Sequence, residues 1–150
     1  MKRPLRYALL FALVFWMLVI FYLSSEGSDT SSERSGAIVE TIRVVAGGLP
    51  NDILTFLTRK AAHMIAYFIL GVLMYLVVRT YNLRPRTAIL LSIGLVCGYA
   101  ISDEVHQLFV PGRSGEVRDV LIDTISGAVG VWATYGVARW RTGKNIKNKV

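Results

Sequence analysis

The residues able to do chemistry are gathered in two stretches. "RKAAHMIAY" carries Lys60, His63 and Tyr67, and "SDEVHQLFVPGRSGEVRDVLID" carries Asp103, Glu104, Gln107, Arg113, Asp119 and Asp123. Paired carboxylates with different partners can divide into a general acid and a general base. An ammonium and a guanidinium can hold an anionic headgroup such as phosphate, the guanidinium bidentately. On this reading Lys60 and Arg113 hold the anion, Asp119 or Glu104 acts as base, and His63 is the acid or an orienting group. Tyr67, Asp103, Gln107 and Asp123 complete the binding surface. His63 with the acids offers a divalent ion some donors, but no His-x-x-x-His or similar spacing supports zinc, so neither metal nor cofactor is expected. No Ser-His-Asp order and no phosphate-cradling glycine loop is persuasive.

Helical phase sharpens the grouping. At about 100° per residue, Lys60 and Tyr67 project within ~20° of each other, with His63 ~60° away. Gln107 falls between Asp103 and Glu104 inside an arc of ~100°, whereas His106 points ~100° away from Gln107. Asp119, Asp123, Ser126 and Gly130 share one face. Each residue also has a plainer reading. Lys60 can be a membrane-edge anchor beside Arg59, His63 a packed histidine, and Tyr67 a member of an aromatic belt. The acids with Arg113 can be an ion-pair clamp that merely holds helices together.

The elements that must position these groups are apolar and long. The chain has 150 residues, 53% of them hydrophobic, a length that suits one domain. The apolar residues are bunched: 7–23 carries no charge, 61–78 only His63, 87–102 none, and 120–138 only Asp123. A membrane-spanning helix needs roughly 20 mostly apolar residues. The pattern predicts an all-α integral membrane protein with transmembrane helices over about 7–23, 52–78, 87–110 and 118–138, and a basic tail over 139–150. Ile38, Val39, Ile42 and Val45 recur at helical spacing, which predicts a short interfacial helix between helices one and two. Asn51 can cap the second helix, and Pro111-Gly112 breaks the third. Gly94, Gly98 and Ser102, and likewise Ser126, Gly130 and Ala133, form small-residue rows expected to bring helices close.

The net charge of +7 does not point to nucleic acid, because the charges are segregated. Lys2, Arg3 and Arg6, then Arg79, Arg84 and Arg86, then Arg139, Arg141, Lys144, Lys147 and Lys149 flank the apolar segments without one acid among them. Nine of the ten acidic residues lie in the other two connecting regions, and the tenth, Asp123, sits just inside the fourth apolar segment next to one of them. This positive-inside pattern places both termini in the cytoplasm and the acidic stretches outside. The basic N-terminus followed by an apolar run has signal-peptide character, but 17 uncharged residues exceed the usual core of about 7–15, and an uncleaved helix is expected. The single cysteine, Cys97, has no intrachain partner for a disulfide.

"IFYLSSEGS", "RKAAHMIAYFILG" and "SDEVHQLFVPGRSGEVRDVLIDTISGAVG", in that order, resemble the VanZ-like family across nearly the whole chain. The resemblance implies a small multi-pass protein of the bacterial plasma membrane, in a family named after a factor that raises resistance to the glycopeptide teicoplanin. The family's characteristic positions fall on Lys60, His63, Tyr67, Asp103, Glu104, Gln107, Arg113, Asp119 and Asp123. Many relatives carry asparagine where this chain has Asp123, which puts an uncharged role there in doubt. The resemblance implies an envelope role and supplies no reaction. The expected partners are the lipid bilayer and an anionic envelope lipid or lipid-linked cell-wall precursor. A site acting on that ligand, a non-catalytic module that binds or shields it, and a structural clamp all stay open.

Overall fold

The computed structural model describes residues 3–25, 51–111 and 115–147. They form four helices: α1 (Arg3–Ser24), α2 (Asn51–Arg79), α3 (Pro85–Gln107) and α4 (Val117–Lys147). No strand occurs among the described residues. All four helices contain segments long and apolar enough to cross a membrane. The short helix expected around Ile38–Val45, and Arg113, lie outside the described residues.

Local chemistry explains the helix ends. Pro85 opens α3, where its missing N–H costs no intrahelical bond and its fixed φ suits a first turn. The preceding turn is closed by Arg79 Nη1 donating to the Leu83 carbonyl at 2.7 Å, with Asn82 at φ 55°, a region asparagine tolerates better than most residues. At its far end α3 stops at Gln107, short of the proline. The N–H groups of Phe109 and Val110 bond the carbonyls of His106 and Gln107 at 3.0 Å, a three-residue tightening. Pro111 disfavours the helical conformation at Val110, so the chain leaves the helix before it. On α4, Asp119 lies in the first turn, where a carboxylate meets the positive end of the helix dipole.

Helices α1 and α3 run one way, α2 and α4 the other. At one end, Ser24 of α1 meets Asp103 of α3, and Lys60 of α2 meets Asp119 of α4. At the opposite end the Arg6 guanidinium lies 4.0 Å from the centre of the Tyr81 ring. This antiparallel arrangement collects Asp103, Glu104, Asp119 and Asp123 at one end, hereafter the acidic end. Arg3, Arg6, Arg79, Arg84, Arg86, Arg139 and Arg141 collect at the other.

Two apolar clusters hold the bundle. Leu13, Ile20, Tyr67, Leu70, Met74, Val77, Val96 and Ala100 form the larger one, and Tyr75, Val78, Ala88, Ile89 and Val131 the smaller. The outward faces are equally apolar: Phe11, Leu90 and Ile125 are 74%, 72% and 63% exposed. Water would not tolerate such a surface on a monomer, whereas hydrocarbon matches it. Between lipid-bathed helices the hydrophobic effect gives no net attraction, so close packing and interhelical hydrogen bonds must do the holding. Trp16 Nε1 donates to the Ala66 carbonyl at 2.9 Å, and Tyr99 Oη to the Met17 carbonyl at 2.6 Å, tying α1 to α2 and α3.

The closest approach is between α2 and α4. A Cβ added to Gly71 would lie 2.0 Å from the Gly127 carbonyl oxygen, and one on Gly130 would lie 2.2 Å from that of Phe68. The small-residue row on α4 therefore serves at Gly130, although Ala133 is exposed. The row on α3 does not: nothing described lies within 4 Å of a Cβ on Gly94 or Gly98, and Ser102 is exposed. Small size permits close approach but does not select the face. The neighbours of α3 take the side bearing Ser92, Val96, Ala100 and Asp103, all buried.

Candidate functional site

The acidic end is built in layers because α2 and α4 lie side by side in the same direction. Lys60 and Asp119 form an ion pair in the outer layer, with side chains 25% and 21% exposed. Three residues further along α2 and four along α4, His63 Nδ1 stands 3.6 Å from Asp123 Oδ2. One helical turn, ~5 Å of rise, thus separates two matched pairs. One turn deeper on α2, Tyr67 is completely buried, and its ring packs 6.4 Å from that of His63 and 6.3 Å from that of Tyr99.

From α3, Asp103 reaches this interior and is only 3% exposed. Its Oδ2 accepts hydrogen bonds from Ser24 Oγ at 2.9 Å, Tyr67 Oη at 3.2 Å and Gln107 Nε2 at 3.4 Å. Three donors from three helices converge on one oxygen. Oδ1 of the same carboxylate is buried and has no hydrogen-bond partner among the described residues. Asp119 Oδ1 is in the same position, while its Oδ2 meets Lys60. Glu104 is also buried, and its Oε2 accepts the Glu116 backbone N–H at 2.8 Å, fastening the segment that leads into α4.

The structure therefore brings together Lys60, His63, Tyr67, Asp103, Glu104, Gln107, Asp119 and Asp123, eight of the nine residues singled out in the sequence. Helical phase placed His106 away from them, and it is indeed turned toward α1. Its ring stacks on Phe21 at 4.3 Å, and Nε2 is 3.0 Å from Ser25 Oγ. Sequence reasoning missed Ser24, because a serine at the end of an apolar helix reads as the start of a linker. The signal was its place in "IFYLSSEGS", one of the stretches that carried the resemblance.

Two features define what the cluster can do. The outer layer offers an ammonium and a carboxylate with access to a ligand, and the inner layer offers carboxylates screened from water. One donor atom each from His63, Asp103 and Asp123 lie within 4.8 Å of one another. These three residues come from three helices, so a search for ligands at short spacing could not group them.

No curated protein and no solved structure matches the chain. A family model, described as VanZ/LLP1, does, and it covers residues 9–139. That range takes in all the residues of the acidic end, and with it the chain, an all-helical protein with four membrane-length helices, belongs to the VanZ/LLP1 family.

Proposed function

We propose that the acidic end is a site for an anionic envelope lipid or a lipid-linked cell-wall precursor, opening toward the outer leaflet of the bacterial plasma membrane. The charge segregation supports this orientation: the basic residues that have no acid among them, Arg3, Arg6, Arg79, Arg84, Arg86, Arg139 and Arg141, gather at the opposite end, which the positive-inside rule assigns to the cytoplasm together with both termini. The observation that carries the reading is the half-open Lys60–Asp119 pair above a buried polar layer. Ionisable groups at membrane depth are costly, and those facing a bundle interior mark function more often than structure.

In the catalytic form of this reading Lys60, together with Arg113, holds the anionic headgroup. Asp119 or Glu104 serves as base; each has one oxygen engaged, Asp119 Oδ2 by Lys60 and Glu104 Oε2 by the Glu116 N–H. His63 is the acid or orients the ligand, and Tyr67, Asp103, Gln107 and Asp123 shape the pocket floor. A contribution to glycopeptide resistance of the teicoplanin type follows naturally if the ligand is a wall precursor. The second reading is a module that binds or shields the same ligand without transforming it. Its support is the three-donor cradle on Asp103, which rigidifies the floor as a binding site requires.

The test is mass spectrometry of lipids and wall precursors from cells carrying wild-type protein, Asp119→Asn or no protein, at equal expression. The catalytic form expects a species that disappears in the variant and in the null alike. A binding module expects unchanged species, with ligand co-purifying with wild type and lost in Lys60→Ala. Identical profiles and no co-purifying lipid would sink both.

A further inference from the structure

We propose that His63, Asp103 and Asp123 form a site for a divalent first-row metal ion such as Zn²⁺ or Mn²⁺. The proposal is independent of which lipid, if any, the acidic end recognises. It begins from charge. Asp103 and Asp123 are each 3% exposed, and no lysine or arginine among the described residues forms an ion pair with either. Lys60 is engaged with Asp119 in the outer layer, leaving His63 as the one described basic group beside Asp123. Two carboxylates taken out of water with so little positive charge among the described residues are expensive, and a buried charge persists when it is paired or coordinates a metal.

Geometry supplies the second argument. A ring nitrogen of His63 and one carboxylate oxygen from each aspartate lie within 4.8 Å of one another. A single ion with bonds of about 2.0–2.2 Å to nitrogen and oxygen can draw such a set together with small side-chain rotations.

The third argument is the unequal treatment of the two oxygens of Asp103. Ser24, Tyr67 and Gln107 all donate to Oδ2, whereas Oδ1 is buried without a hydrogen-bond partner among the described residues. Buried polar atoms are rarely left so, and each exception needs a reason such as an absent ion. Hydrogen bonds to the second oxygen of a ligating carboxylate orient it and tune its basicity. Here three helices contribute such donors to one oxygen and leave the other available.

The donor set also selects the metal class. One imidazole and two carboxylates suit zinc, manganese or iron. Ca²⁺, which takes six to eight oxygens, would find too few. Three protein ligands leave a coordination position open, the arrangement of catalytic rather than structural sites. A phosphate oxygen or a water held beneath the Lys60–Asp119 pair is the chemistry that position would take.

The experiment uses full-length protein in detergent, purified on a tag without histidine, stripped with chelator, then dialysed against Zn²⁺ or Mn²⁺. Metal content by elemental mass spectrometry is expected to reach one equivalent per chain, with a rise in thermal midpoint. Ser24→Ala, which leaves all three ligands in place, should weaken binding by about 10-fold through the lost orienting bond. Asp103→Asn and His63→Ala should abolish retention. Wild-type protein that retains neither metal and shows no thermal shift overturns the site, whatever the variants do. Unchanged retention in Asp103→Asn and His63→Ala overturns it as well. No lipid is present, so failure here leaves the lipid reading standing.

Discussion

Helices α2 and α4 meet in two different ways along their shared length. In the middle of the bundle they touch backbone to backbone, with Gly71 against Gly127 and Gly130 against the Phe68 carbonyl. Toward the acidic end the same helices are bridged by whole side chains, Lys60 to Asp119 and His63 to Asp123. The first contact needs the smallest residue; the second needs long polar ones with room between the backbones. One helix pair thus supplies both a tight seam and a polar cleft. The difference separates a contact that serves packing from the one to which the proposed function is assigned. The seam has nothing to offer a ligand, and the cleft holds charges that packing alone does not require.

The largest effect should come from closing off the seam. Gly71→Val would drive a branched side chain into the Gly127 carbonyl, which is backbone and cannot rotate away. Overpacking of this kind typically costs 1–3 kcal/mol, and a clash with main chain should reach about 3 kcal/mol or more. Folded, monodisperse protein recovered in mild detergent should fall sharply, together with the thermal midpoint. Recovery equal to wild type would show that α2 and α4 do not meet through glycine.

The same seam shows what could be read in advance. Apolar runs long enough to span a bilayer made the four-helix membrane architecture legible, since lipid admits little other than a helix for such segments. Phase within each helix brought the polar residues of α2, α3 and α4 to one face apiece, because 100° per residue is geometry rather than context. Which helices would touch, and through which face, was not legible. Gly94 and Gly98 make as good a small-residue row as Ser126 and Gly130, yet they face outward. The choice depends on the mutual fit of all four helices, information spread over the whole chain. The donors on Asp103 were hidden for the same reason: Ser24 lies 79 residues away and Tyr67 36.

In the cleft, the next effect concerns the buried floor. Tyr67→Phe removes the Oη hydrogen bond to Asp103 while keeping the ring that packs between His63 and Tyr99. Hydrogen bonds to charged groups contribute about 1.5–3 kcal/mol, and at 3.2 Å the lower figure is expected. A thermal or denaturant midpoint lowered by about that amount would mark the tyrosine as part of the scaffold that fixes Asp103. No change would mean that Ser24 and Gln107 suffice.

Smaller still should be the stabilising role of the outer pair. Lys60 and Asp119 are partly exposed, and ion pairs with access to solvent contribute at most about 1 kcal/mol. A double-mutant cycle on Lys60→Gln and Asp119→Asn should give a coupling below that value. Loss of either residue should nevertheless remove whatever ligand-dependent signal the site produces. A coupling of several kcal/mol, with no functional loss, would turn the pair into a clamp and erase the distinction between seam and cleft.

The smallest effect tests the comparison from its opposite side. Gly94 and Gly98 are chemically identical to Gly71 and Gly130, and a Cβ at either would meet nothing described within 4 Å. Alanine is the better helix former by about 1 kcal/mol in water, because glycine gives up more backbone freedom on folding. In a spanning helix, whose backbone bonds are already enforced by the absence of water, less of that difference should survive. Gly94→Ala and Gly98→Ala should therefore leave the thermal midpoint unchanged or raise it, within about 0.5 kcal/mol. If instead they destabilise the protein as Gly71→Val does, the outward face of α3 must be covered in the membrane. A concentration-dependent midpoint would then identify the cover as a second copy of the chain. If they are silent, glycine matters in this bundle only where two backbones meet, and the polar cleft owes its width to the seam beneath it.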